Sequence, residues 1–183
     1  MSARHKVFFC APTGEGVCTE GYTCGCGLHT RKVVGRFKEA ERPAFPIDKS
    51  IKCPSCGAKV EISSQGWSEI FVRSDTGEEV GGAEKLPVGA CWAYSTDYDY
   101  PKGPDGRSLN VMLPDGTSWF IDGKASNCTM PDDEKHRCWV RHGRPEDGTL
   151  HVDKNGRTCQ AGAGSIATRR YHGFLHHGEL VEC

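Results

Sequence analysis

No apolar run in this sequence is long enough to cross a membrane or to act as a secretory signal. Met1-Ser2-Ala3-Arg4-His5-Lys6 leads into only a short apolar run, which predicts a cytoplasmic protein with no membrane contact. Net charge is also lacking. The 23 Lys and Arg nearly cancel the 24 Asp and Glu, so the chain as a whole offers no attractive field to nucleic acid. Long helices are excluded by punctuation, because 23 Gly and 10 Pro divide the apolar residues into short runs. Internal repeats and low-complexity segments are absent. Ala161-Gly162-Ala163-Gly164-Ser165 superficially resembles a phosphate-cradling loop. It lacks the Lys-Ser/Thr of that loop and a strand–helix context, and reads as a close backbone crossing.

Cysteine, by contrast, is abundant. There are eleven, an odd number, and in a reducing compartment clustered thiols bind metal more often than they form disulfides. Cys53-Pro54-Ser55-Cys56-Gly57 has the chemistry of a zinc knuckle. Two thiolates two residues apart can share one Zn²⁺, Pro54 presets the turn between them, and Gly57 closes it in the left-handed region. Cys24-Gly25-Cys26-Gly27 is the matching half, with the 26 residues 27–52 between Cys26 and Cys53. Its Cys-x-Cys spacing is tighter than usual, and Cys18 or His29 could substitute as a ligand. Cys24, Cys26, Cys53 and Cys56 together would complete a zinc ribbon. Free buried thiols are the alternative.

Taken in order, Lys6–Cys10 reads as a strand and Pro12-Thr13-Gly14-Glu15-Gly16 as a turn, with Val17–Tyr22 returning. Arg31–Phe37 reads as a β segment, 39–48 as a loop, and Ser50–Lys52 and Ala58–Ile62 as the strands that flank the knuckle. Ser63-Ser64-Gln65-Gly66 reads as a boundary, giving a zinc-ribbon module over 1–65 and a β-rich domain over 66–183. The first module carries ten basic side chains against six acidic ones. Arg31, Lys32, Arg36 and Lys38 on its β segment are therefore candidates for weak nucleic-acid contact. In the second domain, strands are expected at Ser68–Arg73 and Val88–Tyr94. A hairpin is expected over 108–121 about Pro114-Asp115-Gly116, and another about Asp153-Lys154-Asn155-Gly156. A last one turns at His177-Gly178. Trp92, Tyr94, Tyr98 and Tyr100 could stack on bases or sugars, or pack one side of a sheet. The fold class is mainly β with little helix.

Polar chemistry concentrates between 122 and 164, and three readings compete there. One is a second metal site: His136-Arg137-Cys138 places two ligands on one side of a strand, and Cys128 and Cys159 could complete the set. Another is nucleophilic catalysis, with Cys128 or Cys138 as nucleophile. The base would be His136, His142 or His151, and the orienting carboxylate Asp122 or Asp153. The third is structural, with the cysteines as small core residues.

One stretch carries a resemblance. It runs from Gly106-Arg107-Ser108-Leu109 through Ile121-Asp122-Gly123-Lys124-Ala125-Ser126-Asn127-Cys128-Thr129 and Pro131-Asp132-Asp133. It continues through His136-Arg137-Cys138-Trp139-Val140-Arg141-His142-Gly143 and Asp153-Lys154-Asn155-Gly156 to Ala161-Gly162-Ala163-Gly164-Ser165-Ile166. This resembles small uncharacterised proteins of tailed bacteriophages. The resemblance implies a phage or prophage origin and life in the host cytoplasm, leaves room for a place in the virion, and implies no activity. The expected function is therefore a binding or assembly module with structural zinc and a protein or virion partner. The rival is a Cys/His-dependent or metal-dependent enzyme built on the Cys128–Cys159 cluster.

Overall fold

The computed structural model describes residues 2–45, 50–94, 100–125, 127–133, 136–154, 159 and 164–183. Strands make up 47% of it and no helix reaches seven residues, so the chain is mainly β as expected. Two 3-10 turns, Glu39–Glu41 and Pro145–Asp147, are the helical elements among the described residues. Apolar runs this short cannot offset the cost of nucleating a helix, but they suffice for strands that find partners.

The chain forms two compact units. The larger comprises Met1–Ala11, Arg73–Glu78 and Leu86–Cys183, and the smaller Pro12–Val72 and Glu79–Lys85. Position 65, where the composition suggests a boundary, lies inside the strand Ser64–Arg73. Gly66 reads as a loop residue in sequence, yet it serves a close crossing: a Cβ there would lie 2.6 Å from Thr19 Oγ1.

In the larger unit, Arg4–Lys6, Glu179–Glu182, His172–His176 and Ile166–Ala167 lie side by side in that order, all antiparallel. The expected hairpin turns at His177-Gly178, whose φ values of 47° and 76° are what a mirror-image two-residue turn demands. A second sheet sets Ser118–Phe120 against Leu109–Met112 and that strand against Ala90–Ala93. Phe8 and Phe9 add to it in parallel, opposite Ala90 and Cys91. The Pro114-Asp115-Gly116 turn is fastened by Asp115 Oδ1, which accepts from the Thr117 N–H at 2.9 Å. The strand His151–Asp153 pairs with Val140–His142. Its expected partner at 157–160 lies, except for Cys159, outside the described residues.

Val7, Leu109, Val111, Leu113, Ile121 and Leu180 are among the apolar residues that fill this unit's core. One buried ion network pins its loops. Arg141 Nε donates to Asp122 Oδ1 at 2.9 Å, and its terminal nitrogens donate to Asp105 at 2.6 and 3.2 Å. Asp122 also accepts from the Leu109 N–H at 2.8 Å. Burial favours the neutral form of both acids. At Asp122 burial prevails and the carboxyl shifts upward. At Asp105 hydrogen bonds from Arg141 and Arg107 overcome it and hold the carboxyl well below its ordinary range.

In the smaller unit the sheet runs His29–Lys38, Phe8–Thr23, Ser64–Arg73, Glu79–Gly81. The expected turn at 12–16 is absent, because Phe8–Thr23 runs through it as one strand. Gly14 takes a φ of 74° there, and Thr13 Oγ1 donates to the Ile70 carbonyl at 2.8 Å. Gly16 lies beneath the Trp67 ring, so closely that a Cβ would come within 2.5 Å of two ring carbons. A separate ribbon pairs Ser50–Lys52 with Lys59–Glu61. Beside it Tyr22, Cys24, Cys53 and Ile62 form a small buried cluster, with Leu28, Ile51 and Val60 packed against it.

Candidate metal centres

The first centre grows out of two turns of similar design. The strand Phe8–Thr23 ends just before Cys24. The Cys24 N–H then donates to Leu28 O at 2.8 Å, and the Gly27 N–H to Cys24 O at 2.9 Å. In the second turn the Cys53 N–H donates to Ala58 O and the Gly57 N–H to Cys53 O, both at 2.8 Å. Gly27 and Gly57 close the turns with φ of 89° and 73°, a region only glycine enters without strain. The four sulfurs then converge. Cys24 Sγ is 3.5 Å from Cys56 Sγ, Cys26 Sγ is 3.8 Å from Cys53 Sγ, and all four lie within 4.8 Å of one another. Cys24 and Cys53 face inward while Cys26 and Cys56 face solvent. The Leu28 N–H, followed by the Cys24 thiol, pulls Cys26 down to about 7, so one donor readily forms the thiolate a metal needs. Cys18 is buried within the strand opposite Gly35 and His29 bonds Thr23 Oγ1, and neither joins the group.

The second centre draws on three stretches of the larger unit. Cys128 sits in a turn where its N–H donates to Ala125 O at 3.0 Å and its Sγ accepts from the Met130 N–H at 3.4 Å. Lys124 Nζ reaches over to the carbonyls of Pro131 and Asp133, which fixes the loop. His136 and Cys138 precede the strand Val140–His142, and Cys159 follows His151–Asp153 in the chain. His136 Nε2 lies 3.3 Å from Cys128 Sγ and 3.4 Å from Cys138 Sγ, and Cys159 Sγ is 3.8 Å from Cys138 Sγ. These four donor atoms also lie within 4.8 Å of one another. His136 and Cys138 are fully buried. Burial pushes the Cys138 thiol up to about 11, against the pull of the Ala125 N–H, so without a cation this sulfur stays protonated at neutral pH.

Among the described residues, these are the two groups of three or more donors whose ligand atoms all lie within 4.8 Å of one another, one of four cysteines and one of three cysteines with a histidine. The two sulfurs named as nucleophiles are here with one histidine named as base. The carboxylates named to orient it are engaged elsewhere, Asp122 by Arg141 and Asp153 by His142. The Tyr94 and Tyr100 rings lie tilted with centroids 4.6 Å apart, each 5.4 Å from Phe120, while Tyr98 and most of the 161–165 run lie outside the described residues. The basic segment is an edge strand, pairing among the described residues only with Phe8–Thr23. Its Arg36 is held by Glu15 and, bidentately at 2.8 Å, by Glu79. Sequence reasoning missed the Arg141–Asp105 bond, which carries no local signal. No helix among the described residues is long and apolar enough to cross a membrane. No protein-family model matches the chain, and neither a curated protein nor a solved structure is significantly similar to it.

Proposed function

We propose that both centres hold zinc as a structural cross-link and that the chain works as a binding or assembly module. The carrying observation is the spacing of the donors. A tetrahedral ion with zinc–sulfur bonds of about 2.3 Å needs sulfur–sulfur edges of about 3.8 Å, and slightly shorter edges to a histidine nitrogen. Two of the six edges in the first centre are 3.5 and 3.8 Å, three of the six in the second are 3.3, 3.4 and 3.8 Å, and the others lie within 4.8 Å. Four protein donors leave no position for water or substrate, so neither ion would do chemistry.

The function then lies on the surface. The resemblance to tailed-phage proteins favours a protein partner in the host cytoplasm or the virion. Weak nucleic-acid contact through Arg31, Lys32 and Lys38 is consistent with their edge strand, although Arg36 is committed to Glu15 and Glu79. The enzyme reading is supported by the thiol–imidazole contacts of His136 with Cys128 and Cys138.

Brief iodoacetamide labelling mapped by mass spectrometry separates the two. A closed zinc centre protects Cys128, Cys138 and Cys159 until a chelator is added. Rapid labelling of Cys128 in the metal-loaded protein would favour a catalytic thiol instead.

A further inference from the structure

Val140–His142 and His151–Asp153 place His142 directly opposite His151. Residues two apart on a strand share a face, so Asp153 joins them. His142 Nε2 is 3.0 Å from Asp153 Oδ1, and His151 Nε2 is 3.7 Å from Asp153 Oδ2. Two more imidazoles border this set. The His151 ring centroid lies 4.7 Å from that of His176 and 4.8 Å from that of His177, where the rings stack. The turn that carries His177 is fastened by the Gly178 N–H, which donates to Leu150 O at 2.7 Å. His151 Nδ1 is buried and has no hydrogen-bond partner among the described residues.

We propose that His142, His151 and Asp153 bind a divalent transition-metal ion, with His176 or His177 as a fourth donor, at a third site separate from both cysteine centres. An ion held at about 2.0–2.1 Å by nitrogen and oxygen needs donor edges of about 3.3 Å. The two edges from the imidazoles to the two Asp153 oxygens straddle that value, while the His142 and His151 rings, with centroids 6.3 Å apart, must draw together to close the third. The donor set is imidazole and carboxylate without thiolate, which suits nickel or copper and not calcium or magnesium, and binds zinc less tightly than the thiolate centres do. His142 is 46% exposed and can swing to complete the geometry.

The test uses the full chain with its cysteine centres saturated with zinc, dialysed against micromolar Ni²⁺ at neutral pH. Nickel and zinc are both counted, and only nickel that is lost in His142→Gln is assigned to this site, which keeps any nickel taken up by a cysteine centre apart from it. The expected result is one nickel per chain. His151→Gln and the more exposed His142→Gln each lower the affinity beyond the about 10–100-fold that even an outer partner of a ligand costs. His172→Gln, on the neighbouring strand but outside the set, leaves it unchanged. Should His151→Gln fail to fold, His142→Gln decides alone. No bound nickel, or nickel binding that survives His142→Gln, overturns the site.

Discussion

Cys53 contributes twice to the smaller unit, as one corner of the four-cysteine set and as one of four residues in a very small buried cluster. A cluster that size cannot offset the entropy of ordering its flanking strands, whereas structural zinc supplies about 10–16 kcal/mol in comparable small modules. Cys53→Ser is therefore expected to release the metal of that centre and to make residues 12–72 sensitive to limited proteolysis. The centre that includes His136 keeps its ion. Unchanged protease resistance would place the stability of this unit elsewhere. Arg141 is the corresponding residue of the larger unit. Arg141→Met leaves Asp122 buried without its cation and should cost about 3–5 kcal/mol in denaturant unfolding. Asp105 adds a pH signature. Its folded pKa is depressed, so its contribution is fully present above the unfolded value of about 3.9 and is lost as pH falls below that. Arg141→Met should flatten the acid limb of the stability profile, and an unchanged limb would show that the network is not its source.

At the scale of the element, the strand Ser64–Arg73 closes on its neighbour because glycines let the layers meet. Gly16→Val would drive a side chain into the Trp67 ring and is expected to destabilise by about 1–3 kcal/mol, measured by thermal unfolding. The edge strand His29–Lys38 carries the nucleic-acid expectation. Binding there should weaken steeply with added salt, because phosphate contacts release counterions. Changing Arg31, Lys32, Arg36 and Lys38 together to Gln should abolish it, and affinity indifferent to salt would remove the idea. Elements built on local turns were legible in the sequence. Pro114-Asp115-Gly116 and His177-Gly178 marked their hairpins because each turn needs those residue types. The strand through Pro12 and Gly14 was not legible, since both residues normally end a strand and only the pairing across the sheet overrides them. Position 65 falls within the strand Ser64–Arg73, and Gly66, which serves a close approach there, looks like a loop glycine in the sequence.

For the molecule as a whole, the two centres differ in how far the sequence revealed them. Cys24–Cys26 and Cys53–Cys56 announce themselves through the local geometry of two turns. The set of three cysteines and a histidine spans residues 128 to 159 and only His136-x-Cys138 is a local signal, so the fold must bring the remaining donors in. Asp122 and Arg141 are separated by 19 residues and are joined only by burial. Each unit contains one complete donor set, and this makes metal content the quantity on which the account rests. The decisive measurement is elemental analysis of the purified protein, with zinc counted per chain for the wild type, Cys53→Ser and His136→Ala. Two zinc ions in the wild type and one in each variant are predicted. A wild type without zinc, or variants that keep the full count, would contradict it.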